Sequence, residues 1–157
     1  MEAPEHNPSW PVSYRPKTFK DLVGQHEVGL LRHIVNDPAC PPVLMFCGAP
    51  GVGKTSAARI VAASLNCEER DGKEPCGECQ SCIAVHSGSS YFVTEIDAAS
   101  FGGAEDMRNM REQTFISVGA NKNIFINDEA HSISWQGWNV LLKTFEEPVE
   151  GVYFILR

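Results

Sequence analysis

Apolar positions recur in two rhythms along the chain. Val28, Leu31 and Val35 share one face at helical spacing, with Leu30 and Ile34 beside them, and Asp37-Pro38 ends the pattern. Residues 43–47 form an unbroken apolar run closed by Gly48, the signature of a strand buried on both faces. Residues 54–65 return to the helical period through Ala57, Ile60, Val61 and Ser64, and residues 92–96 predict a second strand. A helix over 104–115 follows through Met107, Met110 and Thr114, with Glu105 and Asp106 favourably placed near its positive end. Residues 123–127 predict a third strand. Ser134 can then cap a helix whose stripe is Trp138, Leu141, Leu142 and Phe145, before Pro148 stops it and residues 152–156 form a fourth strand. Strands alternating with helices predict one α/β domain, a parallel sheet covered on both faces. Two stretches fall outside this pattern. Residues 1–13 are Pro-rich and aperiodic and read as a flexible leader whose Trp10 docks locally. Residues 66–90 are charged, contain glycine and hold four cysteines.

Composition narrows the functional classes. The 157 residues carry 13 Lys and Arg against 20 Asp and Glu, a net charge of −7. Such an acid excess argues against gripping nucleic acid by bulk charge, since phosphate neutralisation needs surplus cations. No apolar run approaches the roughly 18 residues of a membrane span, and the first residues lack the apolar core of a secretory signal. A cytoplasmic, reducing location is expected, where clustered cysteines bind metal more often than they pair. No membrane partner is expected.

Three constellations carry chemistry. Gly48-Ala49-Pro50-Gly51-Val52-Gly53-Lys54-Thr55 fits G-x-x-x-x-G-K-[ST] between a predicted strand and a predicted helix. Glycines let such a loop curl until successive backbone N–H groups face phosphate oxygens, with Lys54 reaching the β- and γ-phosphates and Thr55 ligating Mg²⁺. Asp128 and Glu129 end the third strand, where ligands of a parallel sheet collect; Asp128 suits magnesium and Glu129 suits the activation of an attacking water. Asn127, just before them, is a polar intrusion in an apolar strand. Cys67, Cys76, Cys79 and Cys82 have spacing that fits a four-sulfur, closed structural zinc site, with Gly77 easing the turn; four reduced thiols or a redox pair are the other readings. Cys40 and Cys47 are expected to be inert, Cys47 by burial in the first strand.

Together these elements resemble the bacterial DNA polymerase III gamma/tau subunit family, the ATPase of the replicative clamp loader. The likeness also runs through the segment from Tyr14-Arg15-Pro16-Lys17-Thr18-Phe19 to Gly24-Gln25, through Glu95-Ile96-Asp97-Ala98-Ala99-Ser100 and Asp128-Glu129-Ala130-His131, and through residues 139–148. The resemblance implies a P-loop NTPase of AAA+ type over 14–157, with a zinc module at 66–90. It implies ATP and Mg²⁺ held by Gly48, Gly51, Gly53, Lys54, Thr55 and Asp128, with Glu129 and Lys54 catalytic. Zn²⁺ falls to the four cysteines, and Tyr14, Arg15 and Val23 lie near the base. The implied partners are other clamp-loader subunits, the sliding clamp and primed DNA. Several features depart from the family: the leader, Trp138 for a typical Phe, and Asn127 for an aliphatic residue, which is expected to soften the strand aiming Asp128 and Glu129. Arg157 stands before the expected sensor threonine, so the domain reads as truncated before its helical lid. The alternative is a truncated, non-catalytic module that joins or perturbs a loader. A helicase and a zinc-finger DNA reader fit less well, the latter because no basic recognition helix follows Cys82.

Overall fold

The computed structural model of the protein describes residues 14–24, 26–70, 72–116 and 119–157; the expected leader with Trp10, and Gln25, lie outside them. Four strands alternate with helices: α1 (Val28–Ile34), β1 (Val43–Met45), α2 (Lys54–Asn66), α3 (Gln80–Ser87), β2 (Val93–Asp97), α4 (Ala104–Thr114), β3 (Asn123–Asp128), α5 (Trp135–Glu146) and β4 (Val152–Leu156). All strand pairs are parallel and the order is β1-β4-β3-β2, so β4, last in the chain, inserts between the first strand and the third.

Alternation along β3 divides the core in two. Ile124 and Ile126 face a cluster with Ala58, Ile60 and Val61 of α2 and Cys82 and Val85 of α3. Phe125 faces the opposite cluster, with Met107 and Met110 of α4 and Leu141 of α5. There Phe154 stacks on Phe125 at 5.4 Å between centroids and meets Phe145 edge-on at 5.0 Å. Both faces of the sheet are thus covered, as the pattern of apolar runs predicts. Among the described residues no helix is long and apolar enough to cross a membrane.

Three local expectations are corrected. The run at 43–47 yields a strand of three residues, with Leu44 buried but Met45 62% exposed and Cys47 exposed. Among the described residues β1 pairs with β4 alone, at one end of the strand order. In α5, Leu142 faces out, and the buried line runs through Gly137, Leu141 and Thr144 with Trp138 and Phe145 half-buried beside it. Gly137 sets that line, because a Cβ there would come within 3.0 Å of the Gly102 carbonyl oxygen and 3.1 Å of Met107 Cγ. The irregular stretch at 66–90 contains α3, capped at its start by the Cys79 sulfur and ended by Gly88 in the left-handed region.

Candidate functional site

The loop from β1 into α2 is shaped by two glycines. Gly51 (φ +82°) and Gly53 (φ +95°) adopt backbone conformations that side chains disfavour, although nothing would crowd a Cβ at either place. Gly53 precedes α2 without a side-chain cap, so the first N–H groups of the helix keep no internal partner and suit an anion. Lys54 folds back into the loop, its Nζ donating to the carbonyls of Gly48 (2.7 Å) and Ala49 (3.0 Å). Beside it lies a mostly apolar cavity of about 220 Å³, lined among others by Leu22, Val28, Leu31, Phe46, Cys47 and Ala57. Of the three base-pocket candidates none lines it: Tyr14 and Val23 are exposed, and Arg15 lines a separate cavity with Lys17, Arg59 and His86. Leu22, next to Val23, takes that place. Cys47, expected in a buried strand, is instead an exposed thiol on the cavity wall.

The carboxylates arrive from the neighbouring strands. The β2–β3 register sets Asp97 opposite Asp128 at the C-terminal edge of the sheet. Asp97 closes its own turn, accepting from Ala99 N and Ser100 Oγ, whereas Asp128 pairs with Arg157 at the end of β4. Asp128 Oδ1 accepts from Glu129 N (2.9 Å), and Oδ2 lies 3.0 Å from Arg157 Nη2. The same guanidinium donates through Nη1 to Thr55 Oγ1. Thr55 and Asp128 both meet the Arg157 guanidinium, and a hydroxyl with a carboxylate is the kind of hard oxygen pair that magnesium takes. Glu129 is the one non-glycine at positive φ among the described residues (φ 50°, ψ 44°), with an exposed side chain whose Oε2 is 3.4 Å from His131 Nδ1. Left-handed backbone costs a glutamate about 1–2 kcal/mol, a strain that concentrates at functional sites.

The four cysteines form a second centre. Their sulfurs all lie within 4.8 Å of one another, with Cys76 and Cys82 Sγ 4.0 Å apart, and none forms a disulfide. Tetrahedral Zn–S bonds of about 2.3 Å place sulfurs ~3.8 Å apart, so the set fits zinc with little contraction. Backbone N–H groups already point at the sulfurs: Cys76 N to Cys67, Cys79 N to Cys76 and Cys82 N to Cys79. Burial raises the Cys79 thiol, but donation from the Cys82 and Glu68 N–H groups and bonds from Cys76 and Cys82 outweigh it, leaving the thiol at about 7. Burial pushes Cys82 up strongly and Cys67 more modestly. Next to the cluster, buried Glu74 accepts from Phe19 N (2.9 Å) and pairs with Arg32 (2.9 Å), tying the cysteine loop to α1 and the segment before it.

Sequence reasoning did not find Glu74, Cys47 or the contacts of Arg157. Cys47 had a signal, its place directly before Gly48. Arg157 had none short of the strand register, which pairs Asn127 with Leu156 and so carries the next residue alongside Asp128.

Comparison with known proteins follows the same outline. Residues 24–157 match the family described as "DNA polymerase III, delta subunit". The "DNA polymerase III subunit gamma/tau" of Mycobacterium tuberculosis is 42% identical over 146 residues, 90% of this chain and 25% of that protein. The "DNA polymerase III subunit tau" of Bacillus subtilis is 41% identical over 145 residues, 91% of this chain and 26% of its own length. Its Escherichia coli namesake is 39% identical over 145 residues, 91% of this chain and 23% of its own length. The chain thus spans about a quarter of the length of the curated relatives it matches. Among solved structures, a Thermotoga maritima RuvB variant superposes with TM-score 0.55 at 18% identity, covering 91% of this chain and 40% of that one. At that identity the likeness is one of fold, the AAA+ type of P-loop α/β domain.

Proposed function

The chain belongs to the DNA polymerase III, delta subunit family, and from that premise we propose that it is the ATP-binding part of a clamp-loader ATPase. In the assembly it would act with other loader subunits to place a sliding clamp on primed DNA, as a cytoplasmic protein. One observation carries the reading: Lys54, Thr55, Asp128 and Glu129 gather at the C-terminal edge of the sheet, beside an apolar cavity sized for a base.

The roles follow from the geometry. The loop N–H groups and Lys54 bind the phosphate tail, and Lys54 exchanges its two carbonyl contacts for phosphate oxygens. Leu22, Val28, Leu31 and Phe46 supply apolar contact for the base. Thr55 and Asp128 would hold magnesium, which when bound spreads the charge of the phosphates. Glu129 projects an exposed carboxylate from a strained turn, placed to orient a water and take its proton. Cys67, Cys76, Cys79 and Cys82 would hold zinc, which in a closed four-sulfur site supplies structure rather than catalysis. Residues 66–90 act as that zinc module within a nucleotide-binding domain spanning 14–157.

Titration with a fluorescent ATP analogue tests the reading. Saturable uptake is expected from the folded chain, and Lys54→Ala should weaken it by at least about tenfold, since it removes a charge-assisted contact to phosphate. No uptake, or uptake unaltered in Lys54→Ala, would sink it. The second reading, a non-catalytic module that joins a loader, is favoured by one contact, Arg157 lying on both magnesium-ligand candidates. Co-elution with loader subunits in the absence of nucleotide tests that reading.

A further inference from the structure

We propose that Glu74 is a positioning residue for the nucleotide's base. From the cysteine loop it seats α1 and the turn before it, so that filling of the apolar cavity and ordering of residues 72–78 are coupled. The inference rests on the nucleotide reading and concerns the regulation of that same site.

One wall of the cavity is lightly built. Leu22, Val28 and Leu31 line it, and they come from α1 and from the end of a short 3-10 turn, Phe19–Asp21, just before it. Helix α1 has seven residues and no fully buried side chain, and a helix that short is marginal without tertiary support. Part of its support is polar and comes from one loop. Glu74, 5% exposed, accepts from Phe19 N at 2.9 Å and pairs with Arg32 of α1 at 2.9 Å. Just past α1, Asn36 Nδ2 donates to the Lys73 carbonyl (3.1 Å) while its Oδ1 accepts from Arg70 (2.8 Å). Residues 70–74 thus hold both ends of the segment that carries the wall.

The chemistry singles out Glu74 within that loop. A buried carboxylate is tolerated only when paired and hydrogen-bonded, and the two partners of Glu74 bracket the wall residues in the chain, Phe19 before them and Arg32 after. Phe19 is buried in the core, and Leu22 N donates back to its carbonyl (3.2 Å), so a shift at Phe19 is passed to Leu22. The Arg32 contact is ionic rather than directed, because Nε–H is not aligned with the oxygen; it depends on the charge of Glu74. Cys76, close behind in the chain, belongs to the sulfur cluster, so the loop presenting the carboxylate is tied from its other side. A base entering the cavity packs on residues that Glu74 holds in place, and by linkage it steadies the loop in return. The phosphate tail is served by other groups, the glycine loop after β1 and Lys54, so the two parts of the ligand report differently on Glu74.

Calorimetric titration compares ATP with tripolyphosphate, both with magnesium, for wild type, Glu74→Ala, Glu74→Gln and Arg32→Gln, each first checked for cooperative melting. Glu74→Ala is expected to raise the Kd of ATP by at least about fivefold while that of tripolyphosphate stays within about twofold. Glu74→Gln keeps an acceptor for Phe19 N and loses the charge facing Arg32, so it should fall between, together with Arg32→Gln; these two carry the same test should Glu74→Ala fail to fold. Equal loss of ATP and tripolyphosphate affinity would mark a merely structural role and overturn the inference, as would ATP affinity unchanged in all the variants. Hydrogen exchange gives a readout independent of affinity: saturating ATP should slow the amides of residues 72–78 in wild type, and tripolyphosphate should not. No slowing with bound ATP overturns the inference and leaves the nucleotide reading standing. Absence of ATP uptake by the wild type overturns the two together.

Discussion

Asn127 sits in the centre of the sheet, fully buried, with both polar atoms of its amide unpaired. A buried polar group without a partner costs about 1–3 kcal/mol, and an apolar side chain of similar volume removes that cost. Asn127→Val is therefore expected to raise Tm by roughly 3–6 °C, given about 2–4 °C per kcal/mol at this chain length, as differential scanning calorimetry would show. A fall in Tm would mean that the amide has a partner. The residue type was legible as an anomaly in the sequence, but its consequence was not. Asn127 keeps its ladder register with Ile96 and Leu156, and β3 runs unbroken to Asp128, so the cost falls on stability rather than on strand pairing. His86 gives a second residue-level test. Burial first, then the positive charges of Lys17, Arg59 and Arg15, lower its pKa below the ordinary 6.5. The unfolded chain then takes up the proton first as pH falls, so the contribution of His86 is intact above about pH 6.5 and is lost as pH falls through the folded value. Tm should decline between about pH 7 and pH 5, and His86→Gln should flatten that decline.

The cysteine loop makes its case through the helices it joins. Cys67 follows α2 directly, Cys79 caps α3, and Cys82 is buried in the core cluster that α2 and α3 share with β3. Metal binding there would fix the angle between α2, the nucleotide loop's own helix, and α3. Apparent zinc affinities in small fingers correspond to about 10–16 kcal/mol, against a net domain stability of about 5–15 kcal/mol. Even a fraction of the former decides folding. One zinc per chain is expected by elemental analysis. Chelation or Cys82→Ser should lower Tm by more than 10 °C, on the order of several kcal/mol, and open residues 66–90 to protease. An unchanged melt after complete chelation would contradict the structural role. Spacing alone announced this centre, because a C-x-x-C turn is local. The helix that carries Cys82 was hidden, since Gln80–Ser87 has only Cys82 and Val85 as buried positions and shows little helical periodicity. The first strand failed differently: residues 43–47 are apolar enough for a central strand, but strand order is decided by crossovers that no local run encodes.

Across the whole molecule, the sheet edge gathers what the chain separates: the loop after β1, the turns after β2 and β3, and Arg157 after β4. Such convergence was legible as a fold class, because alternating runs imply a parallel sheet and parallel sheets collect ligands at one edge. The pairwise contacts were not legible, since they depend on register. On the proposed reading, binding of nucleotide and its turnover have different requirements. Hydrolysis at a phosphate loop needs charge beyond the loop lysine, and an arginine supplied across a subunit boundary is worth about 10³–10⁵ in rate. Arg157 is already paired with Asp128 at 3.0 Å, so its guanidinium is not free for that role. The chain alone is therefore expected to be stabilised by nucleotide, by about 2.7 kcal/mol at a hundredfold excess over Kd, and to hydrolyse it scarcely at all. Adding loader subunits that present an arginine to this site should raise turnover by orders of magnitude, and Glu129→Gln should abolish that gain while leaving the nucleotide-induced rise in Tm intact. Brisk, DNA-stimulated hydrolysis by the chain alone in a steady-state assay would show that the missing charge comes from within it.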